Sequence, residues 1–142
     1  MADVAWAQEK LARIGERADR EGLDSLNEHE RRVLLPWFAI GVIGNGGLSY
    51  WFDGQQQLSE VVTPLRMLGF EAAANACERV LAEMFGVGGE PRVANRRHEV
   101  ADSFDWSRVK DEEGVLLDVD RARLLEAIGA YMEAYRTQFR ND

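Results

Sequence analysis

The hydrophobic positions of this chain recur mainly three and four residues apart, the period of an α-helix laid against a core. From about Asp3 to Arg20, Val4, Ala7, Leu11, Ile14 and Ala18 fall on one stripe, and Gly22 ends the segment. A second helix is predicted from Asn27, where Asn27 and Glu30 have the spacing of a capping box. Val33, Leu34, Trp37, Phe38 and Gly41 continue it, and Pro36 removes a backbone donor and is expected to kink it. The run Gly44 to Gly47, Gly-Asn-Gly-Gly, is poor helix interior. It predicts a break followed by a short aromatic helix with Leu48, Tyr50, Trp51 and Phe52, then a loop over Asp53 to Gln57.

Ser59 is the expected cap of the next helix, with Leu58, Val61, Val62, Leu65 and Leu68 on one face and Gly69 as its stop. Pro64 either kinks this helix or lies in the first turn of one capped by Thr63. Glu71 to Phe85 has the cleanest amphipathic pattern: Ala72, Ala73, Ala76, Cys77, Val80, Leu81, Met84 and Phe85 oppose Glu71, Asn75, Glu78, Arg79 and Glu83. Gly86 to Pro91 reads as a loop and Arg92 to about Ala101 as a charged helix. Asp102 to Val119 mixes acids with Phe104, Trp106, Val109, Val115, Leu116 and Leu117, so a short strand at Val115 to Leu117 stays open. Asp118 or Asp120 caps a last helix with Leu124, Ile128, Tyr131, Tyr135 and Phe139 as its buried stripe. The pattern as a whole predicts an all-α fold, an irregular bundle of six or seven helices in one domain over residues 1–142.

Composition narrows the function. With 142 residues and 46% hydrophobic content, the chain is long and apolar enough to fold without disulfides or metals. One cysteine, Cys77, fits a reducing compartment. The first seventeen residues lack the basic flank and apolar run of a signal peptide, and no window holds about 18 uninterrupted apolar residues. A cytoplasmic protein that binds no membrane is expected. The formal charge of −8, from 17 Lys+Arg and 25 Asp+Glu, argues against direct nucleic-acid binding. Taken alone it reads as an aid to solubility, and a basic protein is the partner it could attract. The stretch from Asp102 to Asp120 carries Asp102, Asp105, Asp111, Glu112, Glu113, Asp118 and Asp120 against Arg108 and Lys110. It is the candidate partner-binding surface.

Catalytic chemistry finds few candidates. Cys77 lies on an apolar stripe, where a packed thiol is expected rather than a nucleophile. His29 and His98 read as exposed. There is no HExxH, CxxC, ExxH or EF-hand loop, and Ser49 stands where a dinucleotide fingerprint beginning at Gly44 needs its third glycine. No catalytic residue, metal site or cofactor is expected, and the chain is read as a non-enzyme. The aromatic group Trp37, Phe38, Tyr50, Trp51 and Phe52 is read as core packing around the glycine turn.

The segment Leu26 to Gly54, LNEHERRVLLPWFAIGVIGNGGLSYWFDG, resembles the bacterial DNA-mimic protein family. That family's pattern is a capped helix, Asn-Asn-Gly-Gly and an aromatic-rich helix. The corresponding motif residues here are Asn45, Gly46, Gly47, Tyr50, Trp51 and Phe52. Leu65 to Met84 and Leu124 to Tyr135 are similar to later family helices, so the resemblance covers most of the chain from about residue 24, with residues 1–23 an additional N-terminal helix. Gly44 replaces the first Asn, Tyr50 a residue that is often Gln, and Pro36 and Pro64 are unusual for the family helices. The resemblance reads the motif as a fold element, with Asn45 turning or capping and Gly46 and Gly47 permitting close packing. It implies an all-helical fold. For the member that names the family, it implies an acidic surface that imitates DNA phosphates and occupies a DNA-binding protein, such as a transcription regulator.

Three function classes therefore stand at the level of sequence. The first is an acidic binding protein of DNA-mimic type, for which a homodimer is also compatible. The second is a small-molecule binder or enzyme with a pocket near Asn45, Tyr50 and Trp51. The third is a partner-binding or immunity-type protein that selects by shape rather than charge.

Overall fold

The computed structural model describes residues 4–139, and the expected start of the first helix at Asp3 lies outside them. Among the described residues the fold is all-α, with seven α-helices and no strand. These are α1 (Val4–Glu21), α2 (Glu28–Phe52), α3 (Ser59–Met67), α4 (Glu71–Phe85), α5 (Ala94–Ser103), α6 (Lys110–Leu117) and α7 (Arg121–Ala134), with short 3-10 turns between several of them. The helices group into two compact units, Met1–Trp37 with Asp120–Asp142, and Phe38–Val119.

In the first unit α1 packs on α7. Ala7, Leu11 and Ile14 of α1 are buried, as are Val33, Leu34 and Leu35 of α2 and Leu124, Leu125, Ile128 and Met132 of α7. Gly22, at φ 89°, releases the chain after α1. The capping box forms in both directions: the Glu30 N–H donates to Asn27 Oδ1 at 2.9 Å and the Asn27 N–H to Glu30 Oε1 at 3.0 Å. Glu30 is fully buried because its other oxygen takes the buried Arg17 guanidinium, so the cap also ties α1 to α2. Asp120, not Asp118, caps α7, accepting from the Ala122 and Arg123 N–H groups. The predicted stripe on α7 needs correction at its tyrosines: Tyr131 is half-buried and Tyr135 exposed, and Met132 and Leu125 take up the buried face. For Tyr135 the cause is that α7 ends at Ala134, after which the helical register no longer applies.

In the second unit α4 lies between α3 and α6. Its bounds are those predicted, and its buried face is Ala73, Ala74, Ala76, Cys77, Val80 and Met84. Ala72 is exposed, and Ala74 fills the place assigned to it. The α3 helix differs from expectation at its start. Ser59 is its first residue and caps nothing; the Glu90 carboxylate does so from the following loop, accepting from the Leu58 N–H at 3.0 Å and the Ser59 N–H at 2.8 Å. Thr63 is no cap either, since Pro64 sits inside the helix. Val115 to Leu117 belongs to α6, not to a strand. Asp111, Glu112 and Glu113 occupy the first turn of α6, where the helix dipole favours acids, and Leu116 is its one buried residue.

The α2 helix contributes its beginning to one unit and its remainder to the other. Pro36 is carried within it, and the non-helical residue is Gly47, at φ 78° and ψ −174°, where the expected glycine break falls. With 25 residues and a mean hydropathy of 1.3 over its best window, α2 is long and apolar enough to cross a membrane. Val33, Leu34, Leu35, Ala39, Ile40 and Ile43 of this helix are buried, and 44% of that window lies inside the structure.

Candidate functional site

The glycine motif begins with the need to turn α2. A side chain on Gly47 would face two obstacles, a positive φ and a Glu113 Oε2 only 2.8 Å from its Cβ. Glu113 fills that space because it accepts the Leu48 N–H at 2.9 Å, capping the helical segment that restarts after the break. At Gly46 a Cβ would lie 2.6 Å from Tyr50 Cβ, so this glycine makes room for the tyrosine one turn later. Asn45 is exposed and makes no hydrogen bond among the described residues, so the turning or capping role assigned to it is filled by Gly47 and Glu113.

The restarted segment sorts its aromatics. Trp51 and Phe52 are 2% and 1% exposed, as core packing requires, whereas Phe38 and Tyr50 are 48% and 52% exposed. The expectation that all five aromatics are core thus fails for these two, and Trp37 is only half-buried. Phe38 stands over Trp51, their ring centres 5.9 Å apart and tilted by 59°. Together with Val42, Tyr50, Asp53, Gly54, Gln55 and Gln56 they line an open cleft of about 420 Å³. Asn45, which had been grouped with a possible pocket here, is not part of its wall.

The rim loop of this cleft is held from α5. Arg97, 1% exposed, donates to the carbonyls of Pro91 and Arg92 at 2.8 Å and of Gln55 at 2.5 Å. Its Nε lies 3.9 Å from the buried Glu90 carboxylate. His98 is half-buried rather than exposed, and its Nε2 lies 3.0 Å from the Gly54 carbonyl. Sequence reasoning missed Arg97, because nothing local separates it from the exposed Arg92 and Arg96. His29 is also half-buried, with Nδ1 2.7 Å from the Tyr131 hydroxyl.

The seven acids of the Asp102 to Asp120 stretch divide by role. Asp105 caps the turn before α6, and its hydrogen bonds from the Ser107 hydroxyl and backbone N–H hold its carboxyl below the usual range. Glu113 serves Leu48, and Asp120, in the other unit, serves α7. Asp102, Asp111 and Asp118 are exposed and Glu112 is half-buried, and none of the four has an ion-pair partner among the described residues. Arg108 is engaged elsewhere, with Glu83 at 2.7 Å, while Lys110 is exposed and unpaired. The unit Phe38–Val119 holds 13 acidic and 7 basic residues, so −6 of the −8 formal charge resides there.

Cys77 is fully buried, and burial, reinforced by Glu78 and Glu90, pushes its thiol up to about 12, which removes it as a nucleophile at neutral pH. Among the described residues no three His, Cys, Asp or Glu side chains converge as a metal site would require.

No curated protein and no solved structure is a match for this sequence. The profile of a family described as DMP19-like protein matches residues 24–137, beginning just before the capping box and ending beyond α7. Over that span, which takes in the glycine motif, the cleft and the acidic stretch, the chain belongs to the DMP19-like protein family.

Proposed function

We propose that this chain is a non-enzymatic binding protein of DNA-mimic type, whose unpaired carboxylates occupy the basic surface of a DNA-binding protein, such as a transcription regulator. The observation that carries the reading is the group Asp102, Asp111, Glu112 and Asp118, left without cationic partners in the unit that holds most of the net charge. Unneutralised carboxylates on a folded scaffold can replace phosphates in a cationic groove. Asp111 and Asp118 are seven residues apart along α6 and its C-cap, two helical turns or about 10 Å. Membership in the DMP19-like family supports the same reading.

The test is capture of binding proteins by the immobilised chain at low salt, followed by elution with salt and with double-stranded DNA. Basic nucleic-acid-binding proteins should be retained and should be released by either treatment. A variant carrying Asp102→Asn, Asp111→Asn, Glu112→Gln and Asp118→Asn should lose them. Partners that withstand both treatments, or that bind the variant equally well, would show recognition by shape and overturn the mimic.

A further inference from the structure

We propose that the cleft beneath Phe38 and Tyr50 receives an arginine side chain of the basic partner, an inference that rests on the binding reading above and adds a specific contact to it. Three aromatic rings, Phe38, Tyr50 and Trp51, contribute to its wall, and Asp53 is the one charged residue among the lining residues. The faces of aromatic rings carry partial negative charge, so rings beside a carboxylate form a site for an organic cation. A planar guanidinium suits this wall better than an ammonium, because it stacks on rings while donating to a carboxylate.

The cleft is also built before anything enters it. The Gln55 and Gly54 carbonyls on its rim are fixed by Arg97 and His98, and Gly46 leaves the space that Tyr50 occupies. Arg97 does not compete for the site, because its charge is turned onto three carbonyls and Glu90. The volume of about 420 Å³ falls in the range of pockets that hold small ligands. The overall charge of the surrounding unit draws a cation towards it.

The experiment titrates the isotopically labelled full chain with an acetyl-Gly-Arg-Gly-Arg-Gly-amide peptide, and in parallel with the same peptide carrying citrulline, the neutral isostere, at both arginines. The arginine peptide should shift the Trp51 indole and the backbone resonances of Tyr50, Asp53 and Gly54. Citrulline should weaken binding by about tenfold or more. Tyr50→Ala and Asp53→Asn, both at exposed positions, should each weaken the arginine peptide several-fold without lowering the melting temperature. Equal binding of the citrulline peptide would assign the cleft to a neutral ligand and overturn the proposal. Binding that survives both cleft variants but is lost on Asp111→Asn with Glu112→Gln would also overturn it, while leaving the acidic-surface reading standing. Conversely, arginine binding at the cleft with no DNA-displaceable partner would uphold this inference and remove the mimic.

Discussion

Gly47 shows how much of this protein turns on single residues. Its positive φ and the nearby Glu113 carboxylate exclude a side chain for two separate reasons, backbone strain and overlap. Gly47→Ala is therefore expected to cost about 1–3 kcal/mol of stability, read as a lower midpoint in denaturant unfolding. Gly44→Ala is the control, since a Cβ there meets open space, and it should be neutral or slightly stabilising. A second residue-scale prediction concerns Asp105. Its folded carboxyl is depressed by the hydrogen bonds from Ser107, so its share of stability is present above the ordinary carboxylate range and is lost as pH falls through the depressed value. Ser107→Ala removes the hydroxyl bond and should move the Asp105 titration upward in an NMR pH series, narrowing that acid-stable window. An unmoved titration would mean that the backbone N–H alone sets the shift.

At the scale of elements, legibility followed locality. The α4 boundaries were readable because an amphipathic run lies between Gly69 and Gly86, and the Asn27–Glu30 box because both partners sit within one turn. The cap of α3 was not readable, because its carboxylate comes from Glu90, 31 residues beyond Ser59. The α6 helix was obscured because a single buried residue, Leu116, gives it almost no periodic signature. The candidate site was legible in part: the acidic stretch and the glycine-aromatic motif stood out, but the cleft depends on Arg97, whose burial only tertiary contacts create. That dependence is testable. Arg97→Leu leaves three carbonyls without their donor and the Glu90 carboxylate buried without its cation, and should cost about 3–5 kcal/mol. Faster amide hydrogen exchange at the start of α3 should accompany the loss, because Glu90 would no longer be held at Leu58 and Ser59. If exchange there is unchanged, Glu90 is positioned without Arg97.

For the whole molecule, the distribution of charge matters more than its total. The unit Met1–Trp37 with Asp120–Asp142 is close to balanced, with 12 acidic and 10 basic residues. Several of its arginines are spent on local carboxylates, Arg13 on Glu9 and Arg136 on Glu133 among them. The other unit keeps its excess unpaired, an arrangement expected of a surface for a cationic partner more than of a uniformly solvated protein. Neutralising Asp102, Asp111, Glu112 and Asp118 should leave helix content nearly intact, since none of these four side chains makes a hydrogen bond or ion pair among the described residues and only the dipole contribution of Asp111 and Glu112 at the first turn of α6, about 0.3–1 kcal/mol each, is lost. Circular dichroism of the variant beside the wild type checks this.

The central claim is that binding runs on unscreened carboxylates. It is tested most directly by the affinity of the wild-type chain for its retained partner between about 50 and about 200 mM salt. A contact made by these acids predicts a steep, log-linear loss of about tenfold or more across that range, flattened in the four-site variant. An affinity that stays level with salt, in wild type and variant alike, would contradict it.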